Sequence, residues 1–487
     1  ISATTTFTYD PVFNQVTSIK DPLNRTTAII YDVKGNPVRV TDALGNQTNM
    51  TYDSRGLLGS VKDAQNNTTT FIYDANGNLV GTTDPLGHTT SLTYDTAGNV
   101  VSSTDAEGKT TNFTYDAMNR LTQVTDANGG VTTYNYDAAG NLTQVTDANG
   151  NSTAFAYDER NRLVQTTDPL GNAETYAYDA GGNLIQTTDR RLQTIDFTYD
   201  AVNQLIQKTL PGNLATAFAY DNVGNLTSVI DPDSAVSFVY DGATRLTAAA
   251  PTDSPNQPDV TINYTYDKNG NRLTMTDTAT ASTTSYTYDA LNRLSILDPP
   301  SSNLVHFTYD TLSRRTSLTL PSGLSTVYSY DTAGRLTNLL HRNGTITLSS
   351  FGYTYDNVGN RVTSGVQRSG VSVQNNLNYV YDNLYRLTQA TRPLPASADE
   401  AFTYDSLGNR LLRDGQATNA VFDAANRLLE DEEFTYSYED NGNTTSKTDK
   451  TTMETTTYSY DAENQLTGIQ SPTASAQYRY DGLGRRI

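Results

Sequence analysis

The chain has 487 residues, of which 36% are hydrophobic, and it contains no Cys, so disulfides and thiolate chemistry are excluded. Its 33 Lys+Arg against 53 Asp+Glu give a net charge of -20. This charge repels phosphate backbones and anionic lipid surfaces, so nucleic-acid binding is not expected. No stretch approaches the roughly 18 apolar residues that span a bilayer, so membrane insertion is not expected either.

The most regular feature of the chain is a Tyr-Asp pair that returns at a constant interval over its first part. Ten tyrosines follow one another in nine steps of 21 residues: Tyr31, Tyr52, Tyr73, Tyr94, Tyr115, Tyr136, Tyr157, Tyr178, Tyr199 and Tyr220. Such a period is typical of an array of small units that each bury their apolar face against their neighbours. We therefore predict one elongated or curled array in place of several globular domains.

Each unit of the repeat carries two turn signals, as the unit that begins at Tyr73 illustrates. In the first turn, Asp74 can accept a hydrogen bond from the backbone two residues on, and Gly77 supplies a left-handed conformation. In the second turn, Pro85 suits the second position of a type I turn and Gly87 suits a bulge that closes a hairpin. The corresponding first-turn residues of nearby units include Asp95, Asp116, Asp137, Gly98 and Gly140. Each unit is therefore predicted to reverse direction twice.

The segments between these turns have the composition of strands, as in Leu142–Thr146 and Thr153–Tyr157. The residue two before the repeat tyrosine is usually aromatic, such as Phe71, and residues two apart share one face of a strand. Leucines after the first turn, such as Leu79, can fill the space between successive aromatics. We predict an all-β fold, a continuous antiparallel β-hairpin repeat array with two strands per 21-residue unit. Because right-handed twist accumulates at about 20° per strand pair, the array should wind as a spiral sheet or hollow shell.

The array is regular over residues 1–220 and looser over residues 221–487, where the tyrosines return at intervals of 20 to 26 residues. We predict that residues 221–487 are a degenerate continuation of the array with longer hairpin loops, for example at 250–258 and 392–396. Because the pattern runs through both ends of the sequence, we expect a segment of a longer protein.

The repeated spelling Thr-Tyr-Asp-Ala-x-Gly-Asn-Leu, followed by Thr-Asp-x-x-Gly-Asn-x-Thr, covers essentially the whole chain. It resembles the YD or Rhs repeat of bacterial Rhs proteins, of the C component of insecticidal toxin complexes and of teneurins. The resemblance implies a spiral β-sheet shell around a hollow interior. In bacterial members such a shell encloses a C-terminal toxin that is released by self-cleavage at an Asp-containing core motif, whereas teneurin-like shells serve adhesion. The core and cleavage segment would be expected after Leu483–Arg486, so the resemblance assigns no cleavage residue and no cargo.

The aspartates, histidines and tyrosines of the repeat could serve binding or catalysis, or have a structural role. The Asp column of the first turns could coordinate cations, but turn capping explains it better, and we predict no metal and no other cofactor. The histidines occupy a turn exit (His88), a strand (His306) and an irregular loop (His341), with no recurring partner. The tyrosine columns could stack sugars or form an adhesive face, but their strand parity favours structural ladders. Because the sequence has no phosphate loop, nucleophile elbow or paired-His motif, we predict no enzymatic activity.

The predicted function is that of a non-catalytic shell segment of a secreted or surface bacterial protein, which encloses or displays another polypeptide such as a C-terminal toxin. The alternative is an extracellular fibre or adhesin in which the array acts as a spacer or as a self-assembling filament. The expected partners are an enclosed or fused polypeptide, further copies of the chain and a cell-surface receptor. The expected location is extracellular or at the cell surface, although no targeting signal is visible in the sequence.

Overall fold

The computed structural model describes residues 3–252, 260–301, 303–371, 375–392, 399–413 and 420–487. All regular elements in these ranges are β-strands. Of the predicted longer loops, residues 250–252 belong to a strand, whereas 253–258 and 393–396 lie outside the described ranges. A search of the described residues for a helix long and apolar enough to cross a membrane finds none.

The chain divides into two units, each made of two separate stretches. Unit 1 comprises Ile1–Asn119 and Tyr264–Glu400, and unit 2 comprises Arg120–Asn263 and Ala401–Ile487. Two strands contain points where the chain passes from one unit to the other, β25 (Ile262–Tyr266) and β37 (Glu400–Tyr404).

The first stretch of unit 1 contains β1 (Thr6–Tyr9), β2 (Val16–Lys20), β3 (Thr26–Tyr31), β4 (Pro37–Thr41), β5 (Gln47–Tyr52), β6 (Leu58–Lys62), β7 (Thr68–Tyr73), β8 (Leu79–Thr83), β9 (Thr89–Tyr94), β10 (Val100–Thr104) and β11 (Thr110–Tyr115). Its second stretch contains β26 (Arg272–Asp277), β27 (Ser282–Tyr288), β28 (Leu294–Asp298), β29 (Val305–Tyr309), β30 (Arg315–Thr319), β31 (Leu324–Tyr330), β32 (Leu336–Asn343), β33 (Ile346–Tyr355), β34 (Arg361–Arg368), β35 (Asn375–Tyr381) and β36 (Leu387–Thr391).

The first stretch of unit 2 contains β12 (Leu121–Thr125), β13 (Val131–Tyr136), β14 (Leu142–Thr146), β15 (Ser152–Tyr157), β16 (Leu163–Thr167), β17 (Ala173–Tyr178), β18 (Leu184–Thr188), β19 (Thr194–Tyr199), β20 (Leu205–Leu210), β21 (Leu214–Tyr220), β22 (Leu226–Ile230), β23 (Ala235–Tyr240) and β24 (Leu246–Thr252). Its second stretch contains β38 (Arg410–Arg413), β39 (Val421–Phe422), β40 (Leu428–Glu430), β41 (Phe434–Tyr438), β42 (Thr444–Asp449), β43 (Thr455–Tyr460), β44 (Leu466–Gln470) and β45 (Ser475–Gln477).

Consecutive strands pair antiparallel through two kinds of tight turn. We call the turn after each repeat tyrosine the YD turn, as in Asp74–Asn78, and the turn between two YD turns the TD turn, as in Asp84–His88. In the YD turn the Asp74 N–H donates to the Asn78 carbonyl at 3.0 Å, and in the TD turn the Asp84 N–H donates to the His88 carbonyl at 2.9 Å. Gly77 and Gly87 have φ values of 91° and 90°, so both turns need a residue that tolerates left-handed backbone. The prediction of an all-β array of antiparallel hairpins is confirmed.

The two faces of the sheet differ as the strand parity predicts. In β7 the alternate residues Thr69, Phe71 and Tyr73 are half-buried, whereas the residues between them are exposed. Tyr73 lies opposite Leu79 across a β-bulge, which places the leucine after the YD turn beside the ring. The aromatic side of the sheet is therefore packed by its own neighbouring strands.

The sheet forms a single layer with very little enclosed core. The accessible surface is 26695 Å², whereas a compact protein of 53.1 kDa exposes about 18,000 Å². Among the described residues, the buried apolar side chains are Val229, Val236 and Ala390. Hydrogen bonds along the turns and strands must therefore supply much of what a packed core supplies in a globular domain.

Candidate functional site: the turn edges

The repeat tyrosines tie neighbouring strands together through their hydroxyl groups. The Tyr94 hydroxyl donates to the Leu79 carbonyl on the adjacent strand at 2.8 Å. The same bond, at 2.8 to 3.0 Å, joins Tyr31 to Val16, Tyr52 to Pro37, Tyr115 to Val100, Tyr136 to Leu121, Tyr178 to Leu163, Tyr199 to Leu184 and Tyr220 to Leu205. Tyr73 and Tyr157 occupy the same position at the ends of β7 and β15. These bonds satisfy carbonyls that lie beyond the paired part of the strand ladder, which in β8–β9 begins at Gly81 opposite Ser91.

The aspartates of the YD turns cap their own turns. Oδ1 of Asp74 accepts the N–H groups of Asn76 and Asn78 at 2.9 and 2.8 Å, and its Oδ2 accepts the Asn78 side-chain amide at 2.9 Å. The corresponding bonds to the residue two or four positions on are made by Asp95, Asp116 and Asp137. Gly98 and Gly140 have φ values of 89° and 96°, like Gly77. The carboxylates are thus engaged within the turns that they close.

These hydrogen bonds also favour the charged form of the carboxylates. The side-chain amides of Asn78, Asn99 and Asn141 lower the pKa of Asp74, Asp95 and Asp137 below the usual value. Within the described ranges, the carboxylates and histidines form no group of three or more that could hold a metal ion.

Where arginine ends a YD turn, it links that turn to the next one. Arg162 donates from Nε to Oδ2 of Asp158 at 2.7 Å and from Nη1 to the carbonyl of Asp179 at 3.0 Å. Its guanidinium carbon also lies 4.7 Å from the centre of the Tyr178 ring. The same cation–π contact, at 4.6 to 5.1 Å, joins Arg120 to Tyr136, Arg293 to Tyr309, Arg314 to Tyr330, Arg335 to Tyr355 and Arg427 to Tyr438. We call these residues the arginine clips.

Where asparagine ends the YD turn and the next turn has Asn at its left-handed position, an amide ladder takes the place of the clip. The Asn141 side-chain amide donates to the side-chain oxygen of Asn161 at 2.8 Å. Asn99 makes the same bond to Asn119, and Asn183 makes it to Asn203, both at 2.9 Å. Arginine clips and amide ladders are therefore two side-chain devices that join successive YD turns.

In each unit, TD turns of the first stretch contact YD turns of the second stretch. We call this set of contacts the turn seam of the unit. In unit 1 it includes a bond of 2.7 Å from the Asn269 amide to Asp21, one of 2.8 Å from Arg314 to the Gln65 amide oxygen, and one of 2.8 Å from the Asn357 N–H to Glu107. The partners are 248 to 250 residues apart. Unit 1 therefore brings two edges of the array together after a constant length of chain.

The turn seam of unit 2 is built from the same kinds of contact. Arg191 donates to the Glu439 carboxylate and to the Asp461 carbonyl, each at 2.7 Å. The Asn441 amide donates to Asp189 at 2.6 Å. Asn149 donates to Asp405 at 2.9 Å across 256 residues of chain. Arg191 and Glu439 are largely buried, with side-chain exposures of 17% and 16%, so solvent screens this pair less than a surface pair.

The three histidines lie in one TD turn and two strands. His88 ends a TD turn, where Asn stands in many other repeats, and its Nδ1 lies 3.0 Å from Oδ2 of Asp84. His306 lies in β29, as expected for a strand residue. The prediction of an irregular loop at His341 is wrong, because His341 lies in β32, with Nδ1 2.9 Å from the Thr326 hydroxyl. The strand is longer there than the repeat spelling indicates.

The arginine clips and the turn seam were missed at the level of sequence. The clips have a signal, since Arg replaces Asn four residues after the turn aspartate, as at Arg120 and Arg162. The seam has none, because Gln65 and Arg191 occupy variable turn positions and the repeat period does not indicate which turns meet.

Solved structures with this fold come from toxin complexes. A chain in the Photorhabdus luminescens Tc holotoxin pore shares 16% identity, with a TM-score of 0.59 over 100% of this chain and 30% of that chain. A chain in the TcdB2-TccC3-Cdc42 crystal structure shares 16% identity, with a TM-score of 0.56 over 99% of this chain and 30% of that one. This chain therefore spans 30% of the length of these neighbours, and at such identities the likeness is one of fold.

Sequence comparisons place the chain in a family. Among curated proteins, a sequence search finds no match. The RHS repeat model matches residues 9–47. The teneurin YD-shell model matches residues 47–171, 89–255, 212–351 and 343–487, and these overlapping matches cover most of the chain. The spelling of the repeat, its two tight turns and these matches agree that the chain belongs to the teneurin YD-shell family.

Proposed function

We propose that this chain is a non-catalytic wall segment of a YD-repeat shell that encloses or displays another polypeptide, such as a toxin. The observation that carries the proposal is the turn seam, in which the array of each unit meets itself edge to edge. Its contacts join turns of the first stretch to turns that lie about 250 residues later in the same chain. Such joining suits a continuous wall.

The single-layer sheet supports the same proposal. A wall needs two accessible faces and strong lateral connections, and it does not need a packed interior. The tyrosine bonds, the arginine clips and the amide ladder supply lateral connections between neighbouring hairpins. His88 caps a TD turn through Asp84, a position that suits a scaffold.

A polypeptide is the partner that the neighbours favour. One neighbour is a chain of a holotoxin pore, and the other is a chain of a complex containing TccC3. By this analogy of fold we propose an enclosed or fused toxin as the cargo of the shell. We also propose an extracellular or cell-surface location, with self-association or a receptor contact as further interactions of the outer surface.

The two tracts would contribute differently to this wall. We propose that residues 1–220 form its regular part and residues 221–487 its degenerate continuation. Longer strands such as β33, with 10 residues, fall in the second tract and give the wall a variable height there. Regularity suits lateral strength, whereas variation suits contacts that are specific to one cargo.

An extracellular fibre or adhesin is the second candidate, and the constant period of the first tract favours it. In a fibre the array would extend, and turns about 250 residues apart would not meet within one chain. A particle envelope of the purified chain, determined by electron microscopy, separates the two candidates. We expect a curved wall around a cavity, whereas a solid rod of uniform width would exclude the shell and leave the fibre.

Enclosure itself requires a second measurement. A protease-sensitive domain fused after Ile487 should be cleaved more slowly than the same domain alone, because the wall restricts access to it. Arg191→Glu places a second carboxylate against Glu439 in the turn seam, so the fusion carrying it should lose part of that protection. Equal cleavage in all three samples would contradict enclosure, even if the envelope showed a curved wall.

A further inference from the structure

The tightest packing in unit 2 lies where the YD turn Tyr480–Arg485 meets strands β21 to β23. Val229 and Val236 are 1% and 2% exposed, and Thr216 and Ser234 are each 4% exposed. The seam contacts of Arg191 with Glu439 and of Asn441 with Asp189, by comparison, are polar contacts between turn residues. An apolar contact of this kind needs close shape complementarity, which polar contacts between flexible side chains do not need.

Gly482 is what allows this approach. A Cβ atom placed on Gly482 would lie 2.6 Å from Cγ2 of Thr216 and 2.7 Å from Cγ1 of Val229. Both atoms belong to β-branched side chains, which are stiff at χ1 and cannot move aside easily. A side chain at residue 482 is therefore excluded by contact with the earlier stretch, and its backbone conformation plays no part.

The turn Asp231–Ser234 binds the backbone of Gly482 through its aspartate. It is one residue shorter than TD turns such as Asp84–His88, as are Asp431–Phe434 and Ser471–Ala474, and the Asp231 N–H donates to the Ser234 carbonyl at 2.9 Å. Oδ2 of Asp231 accepts the Ser234 hydroxyl at 2.6 Å and the Gly482 N–H at 2.5 Å. Arg479 adds a contact of 3.0 Å to Asp233. One carboxylate therefore closes its own turn and holds the backbone of the later turn.

The carboxylate of the turn Tyr480–Arg485 also has hydrogen-bond partners, and all of them lie within its own turn. Asp481 is 6% exposed, and its carboxylate accepts the N–H groups of Leu483 and Arg485 at 3.0 and 2.8 Å and the Arg485 guanidinium at 2.6 Å. A buried carboxylate with all these partners is held in one orientation. The turn therefore reaches β21 to β23 as a rigid body.

We propose that the turn Tyr480–Arg485 is a latch that sets the register of the unit 2 turn seam, with Gly482 as the specificity-determining residue and Thr216, Val229 and Asp231 as its receptor. The polar contacts of the seam can form in more than one register, because every turn offers similar carboxylates, amides and carbonyls. The Gly482 contact accepts one register only, because the residues at this position in the other YD turns of the second stretch, Ser406, Ala424, Asp440 and Ala462, carry a Cβ. This role is independent of whether the wall encloses a cargo.

The chain offers a matched control for a test. Gly242 occupies the same position in the turn Tyr240–Arg245, also in unit 2, and a Cβ atom there would meet nothing within 4 Å. The two glycines therefore share their turn context and differ in whether another stretch lies against them. Hydrogen exchange of the full chain measures the protection of the Gly482 amide and of residues 226–237 directly.

Gly482→Val should lower the protection of these amides by about tenfold or more, whereas Gly242→Val should leave them unchanged. Should Gly482→Val fail to fold, Gly482→Ala measures the same loss of protection. Combining Gly482→Ala with Thr216→Ser and Val229→Ala should recover protection, because the two shortened receptor side chains make room for the new methyl group. Unchanged protection in Gly482→Val or Gly482→Ala, equal losses in the Gly482 and Gly242 variants, or no recovery in the combined variant would overturn the latch.

Discussion

The guanidinium carbon of Arg162 lies 4.7 Å from the centre of the Tyr178 ring, so the end of one YD turn covers the tyrosine of the next repeat. The same side chain neutralises Asp158 within its own turn and binds the carbonyl of Asp179. One residue therefore connects three elements of two successive repeats. In a single-layer sheet such lateral connections replace much of the core.

The first prediction concerns this arginine clip. Arg162→Ala should reduce the local free energy of unfolding by about 1 to 2 kcal/mol, since it removes a cation–π contact and a partly buried ion pair. Arg162→Asn should cost less, because Asn in the same position of other turns, such as Asn141, caps the turn aspartate. Hydrogen exchange at residues 157–162 and 178–183 measures both. Equal losses in the two variants would contradict a stabilising role for the cap that residue 162 places on Asp158.

The second prediction concerns the tyrosine hydroxyl. Tyr199→Phe removes the 2.9 Å bond to the Leu184 carbonyl and should cost about 0.5 to 1.5 kcal/mol, because the ring stays while a half-buried carbonyl loses its donor. Tyr9→Phe is the control, since Tyr9 is 54% exposed and should change stability very little. Thermal melting of the full chain, combined with exchange at Leu184–Thr188, compares the two. A Tyr199→Phe variant indistinguishable from the Tyr9→Phe variant would show that the hydroxyl bond is not stabilising.

The third prediction concerns the left-handed turn position. Gly140 has a φ of 96° and open space around its missing Cβ, so any cost of substitution comes from the backbone. Gly140→Val should destabilise its hairpin by about 1 to 3 kcal/mol, because a β-branched residue disfavours positive φ. Gly140→Asn should cost clearly less, since Asn161 occupies the equivalent position at a φ of 59°. Hydrogen exchange in the Asp137–Asn141 turn should be faster in Gly140→Val than in Gly140→Asn. The reverse order would disprove the assignment of strain.

The fourth prediction concerns pH. The hydrogen bond from Arg245 lowers the pKa of Asp241 to about 2. Burial raises the pKa of Asp21, but hydrogen bonds from Arg25 and Asn269 outweigh it and lower that pKa to about 2. A carboxyl group whose pKa is lower in the folded state than the usual 3.8 stabilises the fold above pH 3.8. That contribution is lost as the pH falls towards about 2, the pKa of these groups in the folded state.

The melting temperature should therefore be nearly constant near neutral pH and fall steeply between about pH 4 and pH 2. Asp241→Asn should flatten part of this dependence, because an amide cannot titrate. A melting temperature that rises as the pH falls from 4 to 2 would contradict the assignment of these carboxylates as charged turn caps.

Much of the fold could be predicted from local sequence, because the determinants are local. Asp74 and Gly77 define a turn within five residues, and the parity of Phe71 and Tyr73 defines a face within three. The seam could not be predicted, because Gln65 meets Arg314 across 249 residues and the accumulated twist decides which turns meet. Gly482 and Gly242 look the same in sequence, and only the approach of Thr216 and Val229 distinguishes them.

The turn seam is the central claim, and the absence of Cys makes a direct measurement simple. Cysteines introduced as Asn149→Cys and Asp405→Cys replace two side chains that lie 2.9 Å apart in unit 2. A short bismaleimide should link them within one chain at low protein concentration, whereas Asn149→Cys with Asn441→Cys should not link, because Asn441 contacts Asp189, two TD turns further along. Efficient intramolecular linking of the first pair alone is the result we predict. No linking of the first pair, or equal linking of both, would contradict the seam and the wall that depends on it.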